Sequence, residues 1–273
     1  MLLEKHLRII LWHHRIELSL GDTISDVCGA NHIQWFMDKL YSLYSQSGKV
    51  RELEELSRGL GKEILKIGKC LDTRWVASSF RTVSAVWNDF EALCHHFEAG
   101  RRVETRSKCE QPKFHGLLKR MASKKILQDL ELMYDVLEEL AITSEALQKR
   151  NTTLVYADKL IRLSISYIES MKERKGEKFL EVAKAVEEMK FRSVNLTDNG
   201  RMVTICYEQF LTSLVDGIRV GMLSPILNTI ISELSVLEED NWPNVIPPFY
   251  GRNEIRSLSE RFQLNFSKAI TPF

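Results

Sequence analysis

A cationic segment at residues 101–125 is the strongest candidate for binding a charged partner. Nine Lys and Arg residues stand there against two acids, a net charge of +7. These cations are Arg101, Arg102, Arg106, Lys108, Lys113, Lys119, Arg120, Lys124 and Lys125. Such a segment can follow a DNA backbone, because each phosphate that it neutralises adds salt-sensitive affinity. The DNA-binding candidates that we single out in it are Arg101, Arg102, Lys119 and Arg120.

An alternative role for this segment is an ordinary, partly paired protein surface. Five acids come directly after it on a predicted helix: Asp129, Glu131, Asp135, Glu138 and Glu139. We favour this alternative, since the whole chain is almost neutral, with 38 Lys and Arg against 37 Asp and Glu.

The pair Arg74-Trp75 is a second candidate for contact with nucleic acid. A tryptophan can stack on an unpaired base while the neighbouring guanidinium meets a phosphate. The alternative is a tryptophan that packs into the core at the start of a helix.

Histidine and cysteine residues suggest metal binding only at first sight. The pair His13-His14 could bind an ion, but we expect His14 to be a buried, hydrogen-bonded residue at the end of a strand. Cys94-His95-His96 cannot all face one ion, because adjacent helical residues point about 100° apart. We therefore predict no metal site.

The sequence also lacks a P-loop and a G-x-S-x-G motif, which argues against nucleotide-dependent and serine-hydrolase chemistry.

The elements that position these residues are predicted to be mostly α-helical. No proline occurs in residues 1–111 or 113–224, and long proline-free tracts favour helices. Apolar residues recur at steps of three and four from Ile33 to Leu43 and from Leu127 to Ala141. Further helices are predicted over about 75–99, 153–173, 177–190 and 204–236, with breaks at Gly100, Gly176 and Asn199-Gly200.

Two short segments are predicted as strands, and one as a linker. Residues 7–12 are rich in β-branched and aromatic residues, and residues 64–71 form a similar run. Residues 238–252 have the acidic, Pro-rich composition of a loop. Five cysteines without a C-x-x-C pair indicate a reducing compartment, and no apolar run is long enough to cross a membrane.

Three short motifs occur in a fixed order along the first hundred residues. His14-Arg15-Ile16-Glu17-Leu18-Ser19 comes first, then Leu40-Tyr41 with Tyr44, and then Thr73-Arg74-Trp75. In order and spacing this set resembles the hAT superfamily of transposases, including vertebrate genes derived from them. Leu11 stands where that family has a cysteine.

The resemblance implies a divided fold. Residues 1–76 would be part of an RNase H-like α/β domain, residues 77–237 an all-helical insertion, and residues 238–273 a linker with a C-terminal helix. In that family a tryptophan at the place of Trp75 is associated with a flipped hairpin base. His14, Arg15 and Glu17 are the family-motif residues to examine.

The resemblance also implies an incomplete active site. The family uses three carboxylates that hold two metal ions for phosphoryl transfer on DNA. Two aspartates would lie before residue 1 and a glutamate after residue 273, and Asp22, Asp26 and Asp72 are poor substitutes. Mg or Mn is expected only with the complete active site, and we expect no other cofactor.

The predicted function is that of a catalytically incomplete, hAT transposase-like fragment, a nuclear scaffold that interacts with other proteins or associates with DNA. The alternative is an enzyme: a DNA transposase with missing flanks, or a SUMO-protein ligase whose active region lies outside this chain. Expected partners are DNA, other proteins, or further copies through segments outside this chain, and no membrane.

Overall fold

Twelve α-helices make up most of the described chain. The computed structural model describes residues 2–59, 61, 63–70, 75–102, 110–223 and 225–265, with the backbone alone for residues 2–11, 13 and 75. The helices are α1 (Leu2–Asp26), α2 (Ala30–Tyr44), α3 (Ser47–Gly59), α4 (Trp75–Asn88), α5 (Phe90–Arg102), α6 (Glu110–Met121), α7 (Lys124–Leu147), α8 (Leu154–Ser170), α9 (Glu177–Glu187), α10 (Tyr207–Met222), α11 (Pro225–Leu234) and α12 (Arg252–Arg261). The prediction of a mostly α chain is confirmed.

Strands in the described residues are limited to one small hairpin. Strands β1 (Lys190–Phe191) and β2 (Val194–Asn195) pair antiparallel, with Phe191 opposite Val194. Two 3-10 turns, Ser235–Leu237 and Glu239–Asn241, come after α11. Residues 242–251 then form an irregular connection to α12, as the loop prediction for residues 238–252 indicates.

The predicted strand at residues 7–12 is wrong, because this stretch lies inside helix α1. The helix is specified by the residues on the C-terminal side of the β-branched run. Trp12, Ile16, Leu20 and Ile24 repeat every four residues, and all four are buried. This apolar stripe packs α1 against α10, and its period of four overrides the local strand propensity.

The second predicted strand also has no strand pairing within the described residues. Residues 63–70 have no regular structure and are held by side chains instead. The Leu65 amide donates to both carboxylate oxygens of Asp89, at 3.2 and 3.0 Å. The Thr82 hydroxyl donates to the Gly68 carbonyl at 3.0 Å. The RNase H-like part of the fold prediction is therefore not confirmed, since the described part of residues 1–76 contains only helices and this segment.

Helix α7 lies at the centre of the molecule. It contacts α1, α2, α4, α6, α8 and α9. Residues 129–133 are all buried, and because successive helical residues differ by about 100°, every face of α7 is covered along this stretch. The buried apolar core runs continuously from Trp12 to Ile231. The predicted units 1–76 and 77–237 share this core, and the boundaries between them stay predictions.

Glycines predicted to break helices behave differently from one another. Gly176 does precede α9, and Asn199-Gly200 lies in the connection before α10, as predicted. Gly100 does not end a helix, since α5 continues to Arg102. Its role is close packing: a methyl group at Gly100 would overlap the buried ring of Phe114 on α6. The absence of a side chain lets α5 and α6 approach each other.

This close approach predicts opposite effects of the same substitution at two helical glycines. Gly100→Ala forces the Phe114 ring to move, and we expect a loss of about 1–3 kcal/mol in the free energy of unfolding. Gly116→Ala on α6 meets no atom within 4 Å. It is expected to stabilise the helix by up to about 1 kcal/mol. Urea denaturation of both variants measures the difference, and an unchanged or more stable Gly100→Ala protein would contradict the packing.

Candidate nucleic-acid interface

The first two DNA-binding candidates, Arg101 and Arg102, are engaged within their own helix. Arg101 Nε lies 2.7 Å from Glu98 Oε2, and Arg102 Nη2 lies 2.6 Å from Glu98 Oε1. Partial burial raises the pKa of Glu98, but the two guanidinium groups outweigh that effect and lower it overall. One carboxylate therefore partly neutralises both arginines.

Arg120, near the end of α6, turns toward α2. Its Nη2 donates to the His32 carbonyl at 3.1 Å. The guanidinium carbon lies 5.2 Å from the centroid of the Trp35 ring and 5.6 Å from that of Phe36. Burial lowers the pKa of Arg120, while the charge of Asp129 raises it. Arg120 is thus a cation held in place over an aromatic ring.

Trp35 is the aromatic residue of this region, and 51% of it is exposed. Lys39, one turn further along α2, places its ammonium 5.2 Å from the Trp35 ring centroid. Lys119, next to Arg120, is exposed and forms no ion pair among the described residues. We call Trp35, Lys39 and Arg120 together the Trp35 surface, and Lys119 is the residue next to Arg120 on α6. An exposed indole with two cations at its ring can stack on a base while the cations meet its phosphates.

The remaining cations of the segment have not been placed at the Trp35 ring. Lys124 pairs with Asp198 at 2.6 Å. Lys125 donates to the carbonyls of Met202 at 2.7 Å and Gly200 at 3.2 Å. Lys113 is exposed on α6, seven residues or about two turns before Arg120. Arg106 and Lys108 lie outside the described residues.

The pair Arg74-Trp75 is only partly visible. Arg74 lies outside the described residues, and Trp75 is known only as the first residue of α4. Glu17 of the family motif reaches this point, because its buried Oε2 accepts a hydrogen bond from the Val76 amide at 2.7 Å. A carboxylate at the first turn satisfies an amide that has no partner within the helix and favours the positive end of its dipole. Glu17 of the first motif thus contacts the residue that directly follows the Thr73-Arg74-Trp75 motif.

The other two family-motif residues are exposed on α1. His14 is neither buried nor at the end of a strand, so that expectation is wrong. Its position results from the helical period, which turns Trp12 and Ile16 inward and His14 outward. Arg15 is also exposed, with its side chain beside Gly221 of α10.

Three of the five acids after the cationic segment turn inward. Asp129, Glu131 and Asp135 are only 3–4% exposed. Asp129 accepts hydrogen bonds from the Thr204 hydroxyl at 2.5 Å and from the Ile205 amide at 2.9 Å. Among the described residues, no ion pair joins the five acids to residues 101–125, although Asp129 is attracted by Arg120 and Lys125. The predicted pairing between the cationic segment and the next helix is therefore limited to this longer-range attraction.

Burial determines the protonation of these three acids. It raises the pKa of Asp129 to about 6, and hydrogen bonds from Thr204 and Ile205 limit the rise. It also raises the pKa of Asp135 to about 6. For Glu131, burial and the neighbouring charge of Asp135 raise the pKa to about 8, against a smaller opposite effect of Lys175.

Adjacent histidines on α5 point to different partners, as predicted from the helical geometry. His95 Nε2 lies 3.0 Å from the Ser193 hydroxyl. His96 Nδ1 accepts from the Tyr44 hydroxyl at 2.7 Å, because its Nε2 donates to Glu52 at 3.1 Å. In the part of the chain that the structure describes, no three His, Cys, Asp or Glu side chains are grouped so as to hold a metal ion.

No protein-family model matches the sequence, and no solved structure gives a significant match. Among the described residues, no single helix has the length and apolar character needed to cross a membrane. By length and composition α10 and α11 meet that requirement only as a pair, and the pair is bent by 66°.

Trp35 and Lys39 are the residues of the candidate interface that we did not single out from the sequence. A signal was present, because Trp35 falls outside the predicted apolar stripe formed by Ile33, Phe36 and Leu40. A large aromatic residue off the buried stripe, with a lysine four residues later, indicates an exposed ring beside a cation. Its contact with Arg120, 85 residues away, required the packing of α2 on α7 and α6.

The raised pKa of Glu131 predicts a stability that falls as the pH rises. Below its ordinary pKa of 4.5 the Glu131 carboxyl is protonated in both the folded and the unfolded protein. Between pH 4.5 and about 8 the unfolded chain is ionised while the folded protein keeps the proton, so rising pH stabilises the unfolded state. Glu131→Gln removes the titrating group and with it this pH dependence. Between pH 5 and pH 9 we expect the wild-type Tm to fall by at least about 2–4 °C more than that of the variant, which corresponds to a loss of about 1 kcal/mol in the free energy of unfolding.

Thermal melts at several pH values measure this difference, with the exposed Glu187→Gln on α9 as the control for loss of one negative charge. Parallel pH profiles for wild type and Glu131→Gln would contradict the assignment.

Proposed function

We propose that this chain is a non-enzymatic scaffold that associates with DNA through the Trp35 surface and takes up unpaired bases there. The observation that carries the proposal is the half-exposed Trp35 ring with the Arg120 and Lys39 cations each 5.2 Å from its centroid. About half of Trp35 is open to solvent, and the two cations beside its ring suit the phosphates that flank a base.

The chemistry of the Trp35 surface favours unpaired bases over a regular duplex. Stacking one base on an aromatic side chain contributes about 1–3 kcal/mol and requires an accessible base face. Arg120 is already oriented by its hydrogen bond to the His32 carbonyl, so little side-chain freedom is lost when it meets a phosphate. Lys39 and Lys119 supply further charge that releases counterions from the backbone.

Arg101 and Arg102 are secondary in this proposal. Both are held by Glu98, and binding a phosphate would require them to exchange that carboxylate for the DNA. The net gain from such an exchange is small, because one ion pair replaces another at an exposed site.

The resemblance to hAT transposases is consistent with this function but is not its basis. It implies stacking of an unpaired base at Trp75, whereas the proposal places that chemistry at Trp35. The RNase H-like organisation of residues 1–76 and a nuclear location stay predictions that accompany it. An enzyme whose active region lies outside this chain is the alternative. Cleavage of hairpin DNA with Mg or Mn by the purified chain, abolished by a substitution within residues 1–273, would favour that alternative.

Fluorescence anisotropy with labelled DNA tests the proposal. We expect single-stranded DNA to bind more tightly than duplex of the same length, with affinity that falls as salt rises. Trp35→Ala should weaken binding to the single strand by roughly 5- to 150-fold, the equivalent of about 1–3 kcal/mol. Its Tm should stay close to that of the wild type, because half of the side chain is already exposed.

Two double variants that remove the same charge provide the control. Lys39→Gln with Lys119→Gln should flatten the slope of log affinity against log salt by about 1.4, or about 0.7 for each lost phosphate contact on a single strand. Arg101→Gln with Arg102→Gln should change it much less. Equal effects of the two pairs, or an unchanged affinity of Trp35→Ala, would contradict the proposal.

A further inference from the structure

A pocket lies between α7, α9 and the start of α10. Its volume is about 340 Å³, near the lower end of the range for small-molecule sites. Apolar side chains form most of its wall: Leu132, Phe179, Val182, Ala183, Val186 and Ile205. The polar residues that line it are Gln128, Asp129, Glu131, Lys175, Thr204 and Tyr207. The DNA proposal uses none of these residues.

Glu131 is the unusual member of this wall. The residue is 3% exposed, and its carboxyl takes part in no hydrogen bond among the described residues. By comparison, the carboxylate of Asp129, two residues before Glu131, accepts hydrogen bonds from Thr204 and Ile205. The Glu131 oxygens are not among the fully enclosed side-chain atoms that lack a partner, so they are open to the pocket. In its ionised form this carboxylate can pair there with a hydrogen-bond donor or with a cation.

The surroundings of Lys175 indicate that a cation suits this pocket better than a neutral hydrogen-bond donor. This lysine lies in the connection between α8 and α9, with its ammonium 3.5 Å from the centroid of the Tyr207 ring. The Phe179 ring centroid is 5.8 Å from the same nitrogen. Two aromatic faces and a carboxyl nearby are the surroundings that proteins use to recognise organic ammonium ions.

We propose that this pocket binds a small organic ammonium ion, a primary amine on a compact hydrocarbon body, with its charge at Glu131 in competition with Lys175. The hydrocarbon body would lie against Leu132, Val182 and Val186. Asp129 on the same wall disfavours an anion, and the apolar lining disfavours a polyamine with charges along its whole length.

Binding would be coupled to a proton. The raised pKa of Glu131 means that its carboxyl is mostly protonated near pH 7, and an ammonium ion favours the ionised form. Binding therefore releases a proton, and affinity rises with pH up to about 8. The other charged and titratable groups packed around it are Asp129 and Asp135 on α7, Lys175 in the connecting loop, Lys178 on α9 and Tyr207 on α10.

Titration calorimetry with phenethylamine as the probe tests the assignment. Phenethyl alcohol has the same body without the charge, and hydrocinnamate carries the opposite charge. We expect phenethylamine to bind with a dissociation constant on the order of a millimolar or tighter, and at least tenfold more tightly than either analogue. In buffers of different ionisation enthalpy the observed heat should show proton release.

Two variants with opposite expected effects separate recognition from simple loss of structure. Glu131→Gln should weaken phenethylamine binding at least tenfold, while Lys175→Met, which removes the competing ammonium, should tighten it severalfold. Glu187→Gln, exposed on α9, should leave it unchanged. The assignment is overturned if the wild type shows no saturable binding up to roughly 10 mM. Equal weakening in the Glu131 and Lys175 variants would also overturn the assignment, since both substitutions would then act only by changing the shape of the pocket.

Discussion

Helix α7 contacts six other helices, and the polar residues on its buried faces have to be accommodated inside the protein. Most of its inward residues are Leu, Met, Val and Ile, but Asp129, Glu131 and Asp135 are buried with them. Each is handled differently: Asp129 binds the segment before α10, and Asp135 accepts a hydrogen bond from the Lys178 amide at the start of α9. Glu131 alone of the three faces the pocket without a hydrogen bond among the described residues.

The position of these acids also determines the surface of the molecule. Because they point into the core, they form no ion pair with the cations of α2 and α6 among the described residues. Lys39 lies at the Trp35 ring, and Arg120 is held against the ring by the His32 carbonyl. Six acids are buried among the described residues, and three of them, Asp129, Glu131 and Asp135, lie on α7. An acid that lines a pocket favours a cationic small molecule there, while cations beside an exposed ring favour an anionic partner at the surface.

The sequence predicted the helices well, because their signal is local. Apolar residues three and four apart identified α2 and α7, and the proline-free tracts indicated a mostly α chain. The error at residues 7–12 arose because a short β-branched run was interpreted without the four-residue period that begins at Trp12. The acids of α7 were expected on a solvated face, since a helix that is buried on all sides cannot be recognised from its own polar residues. Likewise, the contact between Arg120 and Trp35 depends on how α2 and α6 pack against α7, and no pattern within either helix contains it.

The central claim is that DNA meets this protein at the exposed Trp35 ring, and photocrosslinking tests it at the level of residues. A single-stranded oligonucleotide that contains iodouracil is bound, irradiated and digested, and the crosslinked peptides are identified by mass spectrometry. The account predicts that the crosslink is found in the tryptic peptide of residues 16–39, which contains Trp35, and that it disappears in Trp35→Ala. Crosslinks confined to other peptides, or retained at full yield in Trp35→Ala, would contradict it.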